Sequence, residues 1–259
     1  STSQGGIARR VEAAGGCVKV LDLFSGIGGF SLGLERAGMH TVAFCEIDPF
    51  CRRVLAKHWP GVTIYEDIRA LDGRTVAADV ICGGFPCQPF STAGKQRGKD
   101  DHRHLWPEMR RVIAEVRPTW VIGENVTGII RMELDTVLSD LEALGYACRT
   151  FIVPAAAVDA PHIRARVWVL ARDTNENSKS VSTINAKASW VSGDMANANS
   201  EQMGRIAKSW QECNQWRVEP DMGRVANGVP RRVDRLRALG NAVVPQIPEM
   251  IGRAIMEAA

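Results

Sequence analysis

The seven cysteines include no CxxC pair, and the five histidines show no HExxH or similar ligand spacing. A zinc site is therefore not expected, no metal is called for, and an odd cysteine count argues against a disulfide framework. No apolar stretch approaches the length of a membrane-spanning helix, which excludes a membrane partner of that kind. Residues 1–16 have no apolar signal core and read as a frayed lead-in, so the expected location is the cytoplasm, or the nucleoid of a bacterial cell. An excess of one charge is also missing. The formal net charge is +3, weak evidence by itself for a nucleic-acid partner. The chain has no internal repeats, and its glycine loop at 26–29 lacks the third glycine of a dinucleotide fingerprint because position 31 is Ser31.

The 259 residues suffice for one large domain, alone or with a small appendage. Apolar runs predict strands at 19–24, 40–45, 62–65, 79–82, 120–123, 147–153 and 167–171, alternating with helices at 30–37, 49–58, 104–116 and 134–144. Gly38 and Gly145 suit helix C-termini, and Pro49 suits a first helical turn. The alternation predicts an α/β fold: a doubly wound, mostly parallel sheet with helices on both faces. Periodicity stops near 173 and resumes near 229, with a Gly240–Asn241 turn and a last helix from about Pro245 to Glu257. The expected organisation is a discontinuous main domain, 1–172 and 229–259, interrupted by a small irregular module at 173–228.

Three stretches carry chemistry. Residues 83–90, Gly-Gly-Phe-Pro-Cys-Gln-Pro-Phe, follow a short buried strand and set Cys87 between two prolines. Taken alone, that thiol is either a presented nucleophile or a core cysteine in a rigid turn. Residues 22–30, Asp-Leu-Phe-Ser-Gly-Ile-Gly-Gly-Phe, follow a strand and open a helix, where glycines and free N–H groups admit a ligand. Without the third glycine, the loop suits an adenosyl ligand lacking a pyrophosphate. Glu46, about twenty residues on, ends the second strand where an acidic side chain typically holds ribose hydroxyls. Asp67 and Ile68 follow the third strand and could take an adenine's exocyclic amine and ring face. Singly these carboxylates are ordinary surface groups; at successive strand ends, ligand contact is the better reading. Arginines and lysines cluster at 95–111 and again at 231–237, either as solvated faces or as phosphate contacts.

These motifs, with Glu124-Asn-Val126, Arg164-Ala-Arg166 and Gly240-Asn-Ala-Val-Val-Pro245 in the same order, resemble the C5-cytosine DNA methyltransferases. The resemblance covers about residues 18–172 and 229–257, and the short insert is similar to compact phage- or prophage-type members. It implies a Rossmann-like fold binding S-adenosyl-L-methionine, with cofactor contacts at Phe24, Ser25, Gly26, Gly28, Gly29, Glu46, Ile47, Asp67, Ile68, Gly83, Pro86, Asn241 and Val243. It also implies catalytic roles for Cys87, Glu124, Arg164 and Arg166, and the module at 173–228 as the reader of target sequence. Two departures stand out: His162 where Gln is more usual, and Thr127 where Lys is frequent.

The implied chemistry asks for these residue types. Cytosine C5 is a poor nucleophile until a thiolate adds at C6, which is covalent catalysis by Cys87. Negative charge then builds at N3 and O2, where a protonated Glu124 and Arg166 would answer it. Asn125 is expected to brace the Pro86–Cys87 backbone. No side chain is an obvious base for the C5 proton, and water is the default. The base must be flipped out of double-stranded DNA, with Gln88, Ser91, Arg97, Lys99, Arg231 and Arg235 as expected DNA contacts. The expected enzyme works as a monomer, either beside a restriction endonuclease or as an orphan. The competing readings are a tRNA cytosine-5 methyltransferase, disfavoured because Phe85 stands where that branch tends to have proline, and a non-catalytic DNA-binding regulator.

Overall fold

The computed structural model of the protein describes residues 17–86, 105–158, 160, 162–174 and 232–258. Seven strands form one sheet: β1 (Lys19–Leu23), β2 (His40–Cys45), β3 (Thr63–Tyr65), β4 (Val80–Gly83), β5 (Trp120–Val126), β6 (Tyr146–Pro154) and β7 (Ala165–Asp173). Their spatial order is β3-β2-β1-β4-β5-β7-β6. The first five pair in parallel, and β7 inserts antiparallel between β5 and β6. The expected doubly wound, mostly parallel sheet is present. Strands β1 and β4 are buried almost throughout because both faces are covered.

The helices are α1 (Gly29–Arg36), α2 (Pro49–His58), α3 (Trp106–Val116), α4 (Ile129–Met132), α5 (Leu134–Ala143), α6 (Arg232–Asn241) and α7 (Gln246–Ala258). One side of the sheet, carrying Leu21, Ile81, Val121 and Val167, packs on α3 and α5 through Met109, Val112, Ile113, Val137 and Leu141. The other, carrying Val20, Val80, Ile122 and Trp168, packs on α1 and α7 through Phe30, Leu34, Ile247 and Ile255. The Asp48 carboxylate caps α2 by accepting the N–H groups of Phe50 and Cys51 at 2.7 and 3.3 Å.

Three sequence expectations need adjusting. β5 runs three residues past its apolar stretch, and β7 starts at Ala165 rather than 167, because their antiparallel pairing continues through Glu124–Trp168, Asn125–Val167 and Val126–Arg166. The expected Gly240–Asn241 turn is instead the last turn of α6. The short helix α4 was not expected, since four residues are too few to show a period. The module at 173–228 lies outside the described residues except for its first two positions.

Among the described residues, no helix is long and apolar enough to cross a membrane, and no cluster of three or more metal-ligating side chains occurs.

Candidate active site

Register collects the candidate loops at one edge of the sheet. Tyr65, Cys45, Leu23, Gly83 and Gly123 lie in one row across five parallel strands. Phe24, Glu46, Gly84 and Glu124 come next after that row, and Asp67 follows by two. This is the carboxyl edge of a parallel sheet, where ligands bind in open α/β folds.

At the β4–β5 end, the Glu124 carboxylate meets Arg166 Nε at 3.0 Å, with side-chain exposures of only 13% and 22%. Burial lifts the pKa of Glu124, while the cations of Arg166 and Arg164 oppose that rise. The pair is a largely buried carboxyl bridged to a guanidinium. The neighbouring Asn125 side chain points to the opposite side of the strand and donates to the Phe85 carbonyl at 2.9 Å. Its brace thus falls one peptide before the expected Pro86–Cys87 bond. Phe85 is itself buried against Trp106, with ring centroids 5.0 Å apart. A Cβ on Gly84 would stand 3.2 Å from Glu124 Oε2, so the strand leading toward Cys87 runs directly beside this carboxylate.

At the β1–β2 end, Glu46 is largely buried. Its two oxygens accept the N–H groups of Gly26 and Asp48, each at 2.7 Å. Those bonds fix the carboxylate yet leave it lone pairs for further donors. Ser25 is buried and donates to the Asp22 carbonyl at 2.6 Å, closing the turn after β1. Phe24 takes a left-handed φ of 53° at the rim, and Ile47 is 61% exposed beside Glu46. A Cβ added at Gly26 would meet nothing within 4 Å, so the loop borders open space. An open cradle, a fixed carboxylate and solvent-facing apolar groups fit an adenosyl ligand. Asp67 caps a one-turn helix and forms a bidentate pair with Arg69, at 2.8–3.1 Å. Ile68 is buried in the core.

Behind the loop lies a group whose role the sequence did not reveal. Asp22 is fully buried, accepts the Ser31 hydroxyl at 2.7 Å and the Ser31 N–H at 3.3 Å, and leaves Oδ1 without a partner. Burial pushes its pKa up to about 7. The available signal was a carboxylate at the end of an apolar strand with a hydroxyl nine residues on, at the first turn of the next helix.

The C-terminal segment closes on the same loop. The Val243 carbonyl would stand 2.7 Å from a Cβ on Gly29, and Pro245 and Pro248 crowd Gly33. Asn241 ends α6 with its side chain exposed. Arg164 does not join the carboxylate pair: its Nη1 donates to the Gly240 carbonyl at 2.6 Å. Arg235 is exposed on α6. Cys87, Gln88, Ser91, Arg97, Lys99 and Arg231 lie outside the described residues. Among the described cysteines, burial raises the thiols of Cys45 and Cys51 to about 12, that of Cys148 to about 11 and that of Cys82 well above its usual range, so none of these four supplies a ready thiolate.

A profile of C-5 cytosine-specific DNA methylases matches residues 18–222. The chain belongs to this family. Among curated relatives, this methylase-family protein is 37% identical over 163 residues to the type II methyltransferase M2.BsuMI of Bacillus subtilis, covering 60% of this chain and 42% of that one. It is also 37% identical over 157 residues to M.NgoMIV of Neisseria gonorrhoeae, covering 58% and 50%. The chain thus spans about half or less of the length of the curated relatives it matches. A solved prophage-encoded Escherichia coli protein, taken to be a DNA modification methyltransferase, superposes with a TM-score of 0.53 at 29% identity, covering 60% of this chain and 47% of that one. Schizosaccharomyces pombe Dnmt2 shares the fold, with a TM-score of 0.54 at 23% identity over 65% of this chain and 55% of that one.

Proposed function

We propose that this chain transfers a methyl group from S-adenosyl-L-methionine to C5 of a cytosine flipped out of double-stranded DNA, through a transient bond between Cys87 and C6. The observation that carries this reading is the largely buried Glu124–Arg166 pair beside the segment after β4 that leads toward Cys87, in a member of the C5 methylase family. Two stretches of the carboxyl edge divide the work: the β1–β2 stretch suits a nucleoside cofactor and the β4–β5 stretch suits a pyrimidine.

Glu46 would take the ribose hydroxyls, and the Asp67–Ile68 turn would take the adenine edge. Gly26, Gly28 and Gly29 keep the loop low, with Phe24 and Ile47 flanking it. When bound, the cofactor supplies an electrophilic methyl group on a positively charged sulfur. Ser25, Gly83, Pro86, Asn241 and Val243 complete the wall on that side. No metal takes part in this reading.

The Cys87 thiolate adds to C6, and the ring electrons move toward N3. Glu124, whose pKa burial raises, donates a proton to N3 as that charge develops. Arg166 holds the carboxyl and offers a donor to the base carbonyl. The activated C5 then takes the methyl group, the S–CH3 bond breaking to leave the neutral thioether of S-adenosyl-L-homocysteine. Loss of the C5 proton to water re-forms the double bond as the Cys87 sulfur leaves C6, and N3 returns its proton to Glu124. Unstacking the base costs about a few kcal/mol, which contacts from Gln88, Ser91, Arg97, Lys99, Arg231 and Arg235 would offset. The module at 173–228 reads the target site, and the enzyme acts as a cytoplasmic monomer.

The test is methylation of a random-sequence duplex library, read by bisulfite sequencing, with Cys87→Ala alongside. Protection of cytosines in one shared context, lost in the variant, is the expected result. A folded, cofactor-bound wild type that protects no cytosine would sink the duplex-DNA reading; the same assay on tRNA would then become the next step.

A further inference from the structure

We propose that Arg164 is a positioning residue that ties the C-terminal cofactor-side segment to the catalytic pair, so that its loss is felt first in cofactor affinity. The inference rests on the S-adenosyl-L-methionine reading given above.

Arg164 sits immediately before β7 with a φ of 25°, in the left-handed region that residues with a Cβ rarely adopt. The backbone is held there from the end of β6: the Ala155 N–H is shared between the carbonyls of Ile163 at 2.8 Å and Arg164 at 3.3 Å. Regular pairing begins one residue later, at Pro154–Ala165. Strand alternation would put Arg164 and Arg166 on one face. Arg164 stands outside the ladder, and the two arginines take different partners: Arg166 holds Glu124, and Arg164 holds Gly240.

The partner is what gives the contact meaning. Gly240 is the last residue but one of α6, where carbonyls lack helical partners and the helix end is negative. A guanidinium there satisfies a terminal carbonyl and meets the helix end with a positive charge. Asn241 ends the helix, the Ala242 N–H folds back on the Leu239 carbonyl at 3.2 Å, and the Val243 backbone then lies against Gly29 of the cofactor loop. Arg164 is therefore the point where the strand carrying Arg166 grips the segment that closes the cofactor cradle. Its charge also reaches Glu124, and burial beside Arg166 lowers its own pKa, consistent with two cations kept apart by separate oxygen partners.

The experiment uses the full protein as wild type, Arg164→Ala, Arg164→Gly and Arg164→Lys. Dissociation constants for S-adenosyl-L-methionine are measured calorimetrically, beside single-turnover methyl transfer to duplex DNA at saturating cofactor. Arg164→Ala weakens cofactor binding about tenfold, the scale of one partly exposed charge-assisted hydrogen bond, and lowers the saturated rate by less than that. Arg164→Gly relieves the backbone but loses the same affinity, whereas Arg164→Lys restores most of it. If Arg164→Ala does not fold, the glycine and lysine variants carry the comparison. Unchanged cofactor affinity with a saturated rate down a hundredfold would place Arg164 on the base and overturn the proposal, as would equal losses in both quantities. A folded wild type that binds no S-adenosyl-L-methionine overturns the cofactor reading and this proposal with it.

Discussion

Glu124 and Asp22 are both buried carboxyls, and their surroundings set them to different tasks. Glu124 has a cation at 3.0 Å that counters the effect of burial. Replacing Arg166 with Met removes that counterweight, so the pKa of Glu124 climbs further. The methyl-transfer rate should fall, and the alkaline limb of its pH profile should move to higher pH, because Glu124 holds its proton longer. A rate–pH profile of wild type and Arg166→Met checks both. Glu124→Gln keeps the shape without a transferable proton, and should lose about 10²–10⁴-fold in single-turnover rate with cofactor affinity intact. Asp22 has no cationic partner, only the Ser31 hydroxyl and amide and the Cys82 thiol, and burial pushes its pKa up to about 7. A raised folded-state pKa favours the folded state at low pH. This stabilisation is full below about pH 4, declines as pH rises, and is lost above about pH 7. Thermal melts of wild type should show that decline, and Asp22→Asn should flatten it. A variant with an unchanged slope would assign the decline to another group.

Among the elements, the sequence revealed most where physics is local. Strands buried on both faces announce themselves as apolar runs, so β1, β2 and β4 came out within a residue of their places. The extension of β5 and β7 through Glu124, Asn125 and Arg166 was hidden, because polar residues stay in a strand there only through antiparallel pairing with a distant segment. Their motifs nevertheless singled out Glu124, Asn125 and Arg166, and the structure brings Glu124 and Arg166 together at 3.0 Å. The bond from Arg164 to Gly240 was not, since nothing in either motif states that they touch across 76 positions. The close fit of α7 against α1 rests on two glycines. Gly33 lies under Pro245, Pro248 and Glu249, and Gly252 lies 2.8 Å from the Ala37 Cβ when its own Cβ is built. A Cβ at Gly33 would overlap the Pro245 carbonyl, which is backbone and cannot swing away. Gly33→Ala should destabilise the protein by about 1–3 kcal/mol, as overpacking does, and shift the urea midpoint with little change in slope. Since Pro245 follows the segment that closes the cofactor cradle, the same variant should weaken S-adenosyl-L-methionine binding, which calorimetry would detect.

For the whole molecule, the question is whether the sheet needs the module at 173–228 in order to stand. Both of its attachment points are fixed from the sheet side. At the entry, Arg117 pairs with Asp173 at 2.7 Å, and the Thr174 N–H and hydroxyl both donate to the Gly145 carbonyl, at 3.0 and 2.7 Å. At the exit, α6 is held by buried Ala238 and by Arg164 on Gly240, and α7 completes the apolar layer over β1 and β4. The described residues supply two apolar layers over the sheet, and the edge that gathers Glu46, Glu124 and Arg166 belongs to the same sheet. Stability and cofactor binding should therefore be properties of the sheet, and choice of target a property of the module. Replacing 176–228 with a flexible glycine–serine linker should leave cooperative melting and a cofactor dissociation constant within about threefold of wild type, because α6 and α7 stay docked. The bisulfite footprint on a random duplex library should meanwhile lose its shared context. Retained context would move target reading onto the sheet edge and α6, where Arg235 is exposed. Loss of cooperative melting would show instead that the module, and not only α6, seals the sheet.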